Sequence, residues 1–290
     1  MTVLVARRSR PSRPSRSSVA RAFALASLGV VMLLPVYYLV YLALSQPGQE
    51  FDFPPSVVPH PISWSNITDA PKGQIRPLWG YARNSVLYAG LATTGCLLTQ
   101  SMAGFAFARL RFPGRNVLFG LTLAMLMMPF VATMIPRFLL FRQLGMIDSL
   151  WPLIIPWWFG GSPYGIFLMR QFFLSIPPEI DEAARVDGAG PWRTFWIILM
   201  PQATPVLVAL GMLQFVYFWN DLLGPLIYAQ SQRWKTLPQG ILFNYQATFD
   251  PQWALFMMSV LWMVVPVALL FLVLQRRFKQ GFLFSGLGGR

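Results

Sequence analysis

Charged residues are scarce in this sequence. They make up 11% of its 290 residues, while 55% of the residues are hydrophobic. A soluble domain usually carries about 25% charged residues. The deficit excludes an ordinary soluble globular domain and indicates a protein whose surface largely faces lipid.

Cysteine and histidine are almost absent. The one cysteine, Cys96, lies in an apolar run, so no disulfide framework is expected. The one histidine, His60, cannot hold a metal ion alone. A membrane-embedded enzyme would need convergent acids, histidines or a nucleophile, and Asp221 is the one acid that we place inside or at the edge of a membrane-spanning segment. We therefore expect neither catalysis nor a metal or other cofactor on this chain.

Six long runs contain no charged residue, and each is long enough to cross a bilayer. A spanning helix needs about 20 mostly apolar residues. Pro35 in the first run, and Pro201 and Pro205 in the fifth, predict helices that are shorter than their runs or kinked. The sequence thus predicts an all-α integral membrane protein with six transmembrane helices. The runs are 22–49, 84–108, 116–136, 149–169, 194–220 and 251–275.

The first run resembles a signal peptide because arginines precede it. Its apolar part, 22–44, is nevertheless longer than the usual signal core of about 7–15 residues. We favour a retained helix. Residues 1–20 are rich in arginine, serine and proline, and we expect a disordered basic segment there.

The positive charges are unevenly distributed between the two sides of this topology. If the N-terminus is cytoplasmic, the cytoplasmic segments hold 16 of the 23 lysines and arginines. Positive residues gather on the cytoplasmic side of membrane proteins. The net charge of +13 is then an orientation signal and not a nucleic-acid footprint. We predict a multi-pass protein of the cytoplasmic (inner) membrane, with both termini in the cytoplasm.

The loop at about 173–201, between the fourth and fifth runs, contains the segment "EIDEAARVDGAGPWRTF" at 179–195. Pro177 and Pro178 predict a helix start, the acids that follow suit a first turn, and Gly188 predicts the helix end. A second short helix is expected from Pro191. The predicted small apolar side of the first helix is formed by Ile180, Ala183, Ala184 and Val186.

Two interpretations of this helix remain open. It could dock on a cytoplasmic partner that approaches its small residues closely. Alternatively, it could rest on lipid headgroups as a solvated amphipathic helix. Acids close to an anionic leaflet disfavour the second interpretation.

The same segment resembles the EAA loop of ABC importer permeases. The matching positions are Glu182, Ala183, Ala184, Gly188, Ile198 and Pro201, with Met200 where the family usually has leucine. Four further stretches resemble the carbohydrate-uptake branch, in the tail-bearing second permease of maltose-type systems: "NSVLYAG", "AGFAFARLRFPGRN", "LMRQFFLSIPPEIDEAARVDGAG" and "FWNDLLGPLIY". The resemblance covers about residues 20–290.

The resemblance implies a type I ABC importer fold in which the EAA helix is a cytoplasmic coupling helix. It implies a second homologous permease, two ATPase subunits carrying ATP and Mg, an external solute-binding protein, a sugar substrate and surrounding membrane lipid. The chain itself lacks the G-x-x-x-x-G-K-[ST] motif for ATP. Tryptophan at Ala184 is expected to uncouple hydrolysis from transport. The implied coupling residues are Glu182, Ala183, Ala184, Arg185, Asp187 and Gly188.

Five residues near the end of the fifth run are candidates for the substrate pathway: Gln214, Tyr217, Trp219, Asn220 and Asp221. For the glutamine, tyrosine and asparagine, the alternative is hydrogen bonding between helices. For the tryptophan, the alternative is packing or an interfacial position. For the aspartate, the alternative is a helix bend where the carboxylate binds backbone amides, with Asn220 acting likewise. The main substrate site could also lie on the partner permease.

The predicted organisation is a basic N-terminus at 1–20, a permease domain at 21–276 and a cytoplasmic tail at 277–290. The resemblance implies that the tail contacts an ATPase through Gly286, Gly288 and Gly289; a frayed terminus is the alternative. The substrate is expected to be a sugar or oligosaccharide. Glycerol phosphate or another polar solute is the alternative, and a secondary transporter, which would usually show inverted repeats or proton-relay acids, is disfavoured.

Overall fold

The computed structural model describes residues 16–49, 56–245 and 252–286. Every regular element in these ranges is helical. The 3₁₀ turns are 70–72 and 125–127, and 194–199 is a π-helical segment. The α-helices are α1 Arg16–Ala43, α2 Asn66–Asp69, α3 Leu78–Arg109, α4 Arg115–Ala124, α5 Phe130–Gln143, α6 Trp151–Gly160, α7 Pro163–Ser175, α8 Glu179–Val186, α9 Pro191–Arg193, α10 Met200–Gln202, α11 Thr204–Trp219, α12 Leu223–Tyr228, α13 Leu237–Tyr245 and α14 Trp253–Gly286.

Helices α1 and α14 each contain a stretch that is long and apolar enough to cross a membrane unaided. The stretches are Arg21–Ala43 and Trp253–Gln275. Helix α1 already includes residues 16–20, which the sequence predicted to be disordered, and α14 includes most of the predicted tail. Both helices continue past an internal proline. Helix geometry therefore extends further at both ends of the permease domain than composition alone indicated.

Three of the predicted spans are interrupted in the structure. Pro129 leaves Met128 extended (φ −77°, ψ 117°), as steric conflict with a following proline requires, and the helices on either side diverge by 102°. Gly161 and Pro163 separate α6 from α7. The segment 191–202 meets α11 at 77°, near the prolines for which a kink was predicted. Within the described residues, two helices are long and apolar enough to cross a membrane. The number rises to four if each bent pair of helices counts as one span. The six-span count stays a prediction.

Helix α3 is the central element. It packs against α6, α7, α11 and α13. Its 32 residues would extend about 48 Å at 1.5 Å each, and many of them are buried, including polar Asn84, Ser85 and Gln100. A buried helix needs no continuous apolar surface, because neighbouring helices satisfy its polar groups. This burial explains why α3 falls short of the apolarity expected of an isolated span.

Two main apolar clusters stabilise the bundle at opposite ends of α3. The first surrounds Tyr81, Tyr88 and Trp219 and joins α3 to α6 and α11–α13. The second surrounds Phe105, Phe173 and Phe195 and joins the end of α3 to α7 and the π-helical segment. The second cluster lies beneath the predicted coupling loop. The loop therefore rests on a packed base.

Residues 229–245 lie across the start of α3 and are held there by hydrogen bonds. Asn84 Nδ2 donates to the carbonyls of Arg233 and Lys235 at 2.8 and 2.9 Å. The Leu237 amide donates to Ser85 Oγ at 2.8 Å. Burial lowers the pKa of Lys235, whose Nζ lies 3.7 Å from the centroid of the Phe243 ring. Helix α3 begins directly after Pro77, six residues before the predicted apolar run, so the helix that residues 229–245 contact is longer than the run itself.

Candidate functional site

Helix α8 begins and ends where the sequence predicted. It starts immediately after Pro178 and carries three acids in its first turn. Gly188 adopts φ +74°, the left-handed conformation that glycine accepts without steric cost. Its amide donates to the Arg185 carbonyl at 3.0 Å, and the Ala189 amide donates to the Ala184 carbonyl at 2.8 Å. These two bonds form a Schellman motif, which fixes the end of the helix.

The helix presents two different faces. The inner face consists of Ile180, Asp181 and Ala184; Ile180 packs on the Phe105–Phe195 cluster, and Ala184 is only 3% exposed. The outer face consists of residues at the i, i+3, i+4, i+7 positions of one helical stripe. All four are exposed, and the exposed fraction of Val186 is 88%. The outer face is Glu179, Glu182, Ala183 and Val186.

The structure corrects the predicted role of Ala184. Because its side chain faces the protein's own core, it is not available to a partner. The small apolar side predicted from sequence is therefore divided: Ile180 and Ala184 lie inside, while Ala183 and Val186 lie outside. The other predicted coupling residues, Glu182, Ala183, Arg185, Asp187 and Gly188, are exposed. A tryptophan at position 184 would disturb the seating of α8 on its own chain.

An ion pair that sequence reasoning missed holds the inner face. Arg109, the last residue of α3, places Nε 3.0 Å from Asp181 Oδ2, and each side chain is 12% exposed. The contact joins opposite charges without the alignment of a hydrogen bond. Arg109 Nη2 also donates to the Ile176 carbonyl at 2.7 Å. The sequence signal for this pair was an arginine at the end of α3 and an acid next to Ile180, on the side of α8 that carries an apolar residue.

The segment after α8 anchors the loop from its other end. Phe195 and Leu199 are buried in the Phe105–Phe195 cluster. Trp192 and Trp196 remain 63% and 44% exposed. The second short helix that the sequence predicted therefore has one buried side, which anchors it, and one exposed side, which carries large aromatic side chains.

Two of the predicted pathway residues are engaged within the bundle. Gln214 Nε2 donates to Gln100 Oε1 at 2.7 Å, which is the interhelical hydrogen bond left open as the alternative. Trp219 is 2% exposed, and its Nε1 donates to the Met263 carbonyl at 3.1 Å. Trp219 therefore packs against α14, which is the packing left open as the alternative.

Asp221 occupies the break between α11 and α12. Its Oδ1 accepts from the Gly224 amide at 3.1 Å, and its Oδ2 accepts from Tyr88 Oη at 2.8 Å. This confirms the interpretation in which the carboxylate binds a backbone amide at a helix bend. The same interpretation expected the Asn220 side chain to accept from backbone amides. Instead, its Nδ2 donates to the Val216 carbonyl at 2.8 Å.

Tyr217 and Asn220 are the two predicted pathway residues that reach the surface. Tyr217 is 61% exposed and lies edge-on to Trp157, with ring centroids 6.3 Å apart. Arg137 on α5 lies within electrostatic range of Tyr217. The five predicted residues thus do not share one surface: two are exposed, one caps a break, and two bond within the bundle.

The predicted tail contact falls at the edge of the described chain. Gly286 is the last residue of α14, and Gly288 and Gly289 lie outside the described residues. Within the described part of the chain, no three His, Cys, Asp or Glu side chains are grouped as metal ligands would be.

Relatives whose names state a transported solute align over most of the chain. The sn-glycerol-3-phosphate transport system permease protein UgpE of Yersinia enterocolitica is 32% identical over 264 residues, covering 89% of this chain and 93% of that protein. The arabinooligosaccharides transport system permease protein AraQ of Halalkalibacterium halodurans is 35% identical over 214 residues, covering 73% of this chain and 75% of that protein.

Solved structures agree on the fold. A chain from a bacterial ABC transporter involved in the import of the acidic polysaccharide alginate superposes with a TM-score of 0.76 at 22% identity, covering 93% of this chain and all of that one. The family model for the binding-protein-dependent transport system inner membrane component matches residues 100–284. The chain therefore belongs to this family of inner-membrane permease subunits of ABC importers, and it has their type I fold.

Proposed function

We propose that this chain forms half of a translocation pathway for a sugar or oligosaccharide, driven by ATP hydrolysis on subunits that dock against the outer face of α8. Alternation between inward-open and outward-open states needs a bistable arrangement that a ligand biases. Nucleotide binding and hydrolysis on the partner would supply that bias. The chain would contribute the pathway wall and the docking surface.

The observation that carries this proposal is the division of α8 into an anchored face and a free face. Ile180 and Asp181 attach the helix to the bundle, while Val186 and Ala183 project from it. A helix that only lay on lipid headgroups would direct apolar residues to the membrane and basic residues to the headgroups. The outer face instead combines two glutamates with small apolar groups, which suits a protein groove.

The family supports the remaining partners of this proposal. Its description names binding-protein-dependent transport. We propose a second permease with its own coupling helix, because one bundle cannot enclose a two-sided pathway. We also propose two ATP-hydrolysing subunits that carry ATP and Mg, an external binding protein, and both termini of this chain in the cytoplasm.

For the substrate, a sugar or oligosaccharide suits the exposed Tyr217 and Asn220. Their neutral hydrogen-bonding groups and aromatic surface are the kind of lining that fixes a polar solute. AraQ is named for arabinooligosaccharides. UgpE is named for sn-glycerol-3-phosphate, and the positive charge of Arg137, which acts electrostatically on Tyr217, favours an anionic solute as the second candidate.

Docking is tested with a charge on the outer face. Val186→Arg should abolish co-purification of the ATP-hydrolysing subunits, because a long charged side chain would have to be buried where the docking groove closes on the helix. The matched control is Val57→Arg, a substitution at a valine that is 79% exposed on another part of the chain. Normal co-purification and transport by Val186→Arg would exclude α8 as the docking element.

The substrate is tested with the assembled importer in liposomes that enclose ATP. A panel of oligosaccharides and glycerol phosphate would be presented with the cognate binding protein, and uptake measured. The proposal predicts sugar uptake that survives Arg137→Gln. Uptake of glycerol phosphate alone, lost in Arg137→Gln, would replace the sugar by the second candidate.

A further inference from the structure

Helix α3 connects the two functional regions of the chain without a break. At its last residue, Arg109 contacts Asp181 on the inner face of α8. About six turns earlier, Tyr88 donates to Asp221, which caps the break beside the exposed Tyr217 and Asn220. One rigid helix therefore touches both the coupling helix and the end of α11.

The Arg109–Asp181 contact is unlike an ordinary surface ion pair. Both side chains are 12% exposed, whereas the Lys72–Asp69 pair is 70% and 45% exposed. Exposed pairs contribute little because water screens them, while a sheltered pair is screened much less. Removing one member of a sheltered pair leaves the other charge without compensation.

Arg109 also spans the connection through which α8 would otherwise bend. Only residues 176–178 join α7 to α8. Arg109 Nη2 donates to the carbonyl of Ile176, the first residue of this connection, and Arg109 Nε contacts Asp181 beyond its end. The guanidinium thus ties the connection between the two helices to the first turn of α8.

We propose that Arg109 and Asp181 are positioning residues that bind the coupling helix to α3, so that the two move as one body during the transport cycle. This inference rests on the proposed function. Movement of α8 under the ATP-hydrolysing partner would be conveyed along α3 to Tyr88 and Asp221. Without the pair, α8 could follow its partner while α3 stays behind.

Neutralising the pair should separate hydrolysis from transport. In the assembled importer, Asp181→Asn and Arg109→Gln should retain co-purification of the ATP-hydrolysing subunits and ATP hydrolysis. Substrate moved per ATP should fall by about two- to thirty-fold, the range of mutations that modulate coupling. Arg109→Lys, which keeps the charge but not the fork-shaped donor, should lie between these variants and the unmodified protein. Asp69→Asn, which removes the exposed pair, is the control and should change nothing.

A covalent replacement for the ion pair distinguishes positioning from general stability. Cys96 is the only cysteine, so Arg109→Cys and Asp181→Cys can be combined with Cys96→Ala and joined by a short bifunctional thiol reagent. Before the reagent is added, this complex should waste ATP. After linkage, transport per ATP should return toward that of the Cys96→Ala complex.

Two results would overturn the inference. One is normal transport per ATP in the unlinked double-cysteine complex and in Asp181→Asn. The other is a linked complex that hydrolyses ATP but cannot transport, because α3 and α8 would then have to move relative to each other. Failure of the proposed function itself would be seen separately, as an unmodified complex without an ATP-hydrolysing partner or without uptake.

Discussion

Asp221 illustrates, at the scale of single residues, how an acid is accommodated beside a long apolar helix. An ionisable group in such a place is costly and is a functional candidate by default. Here Tyr88 and the Gly224 amide each donate to a different oxygen of the carboxylate. The side chain therefore has a structural task that accounts for its presence, whatever its role toward substrate.

Asp221→Ala should destabilise the protein by about 1–3 kcal/mol, because it leaves a Tyr88 hydroxyl and a Gly224 amide without partners. Asp221→Asn should cost less, since its amide oxygen can still accept from Gly224. Thermal unfolding in detergent measures both, and Asn220→Ala, at the exposed neighbour, is the control. Unchanged stability in Asp221→Ala together with lost transport would favour a pathway role instead.

The elements themselves were predictable where local chemistry decides their limits. Pro178 and Gly188 gave both ends of α8, because a proline start and a left-handed glycine act within one turn. The Arg109–Asp181 pair could not be predicted, because it depends on how α3 and α8 pack although they lie far apart in sequence. Ala184 was assigned to the wrong face for the same reason: a small residue suits a core as well as an interface.

Helices α3 and α7 pack closely at Gly104, and this contact between elements predicts how alanine substitutions in α3 change stability. A Cβ added at Gly104 would lie 2.6 Å from Met169 Cβ and 3.0 Å from the Arg170 amide nitrogen, so backbone would have to move. Gly104→Ala should therefore cost about 1–3 kcal/mol of unfolding free energy. Gly90 lies in the same helix with nothing within 4 Å. Gly90→Ala should stabilise the helix by about 0.5–1 kcal/mol.

Thermal unfolding of the two alanine variants side by side checks this contrast. Because both substitutions remove the same glycine flexibility from α3, the difference between them isolates the α3–α7 contact. Equal melting temperatures would mean that the two helices do not approach as closely as the structure has them.

At the scale of the whole molecule, the chain exposes an apolar surface that water would not tolerate. In the most apolar part of the stretch 21–43 of α1, no residue is buried. In the corresponding part of α14, only 11% of the residues are buried. Phe23, Leu25 and Met32 are each about 70% exposed or more. Contiguous apolar surface of this extent marks contact with lipid or with another subunit. The sequence predicted this membrane character from composition alone, since it depends on totals rather than on which helices touch.

The central claim is that α8 meets an ATP-hydrolysing subunit with its outer face. It is tested most directly by thiol cross-linking in the assembled importer, using single cysteines in a Cys96→Ala background. Val186→Cys, on the outer face, should cross-link to that subunit. Ala184→Cys, on the inner face, should not. A cross-link from position 184 with none from position 186, or none from either position in an active complex, would contradict the account.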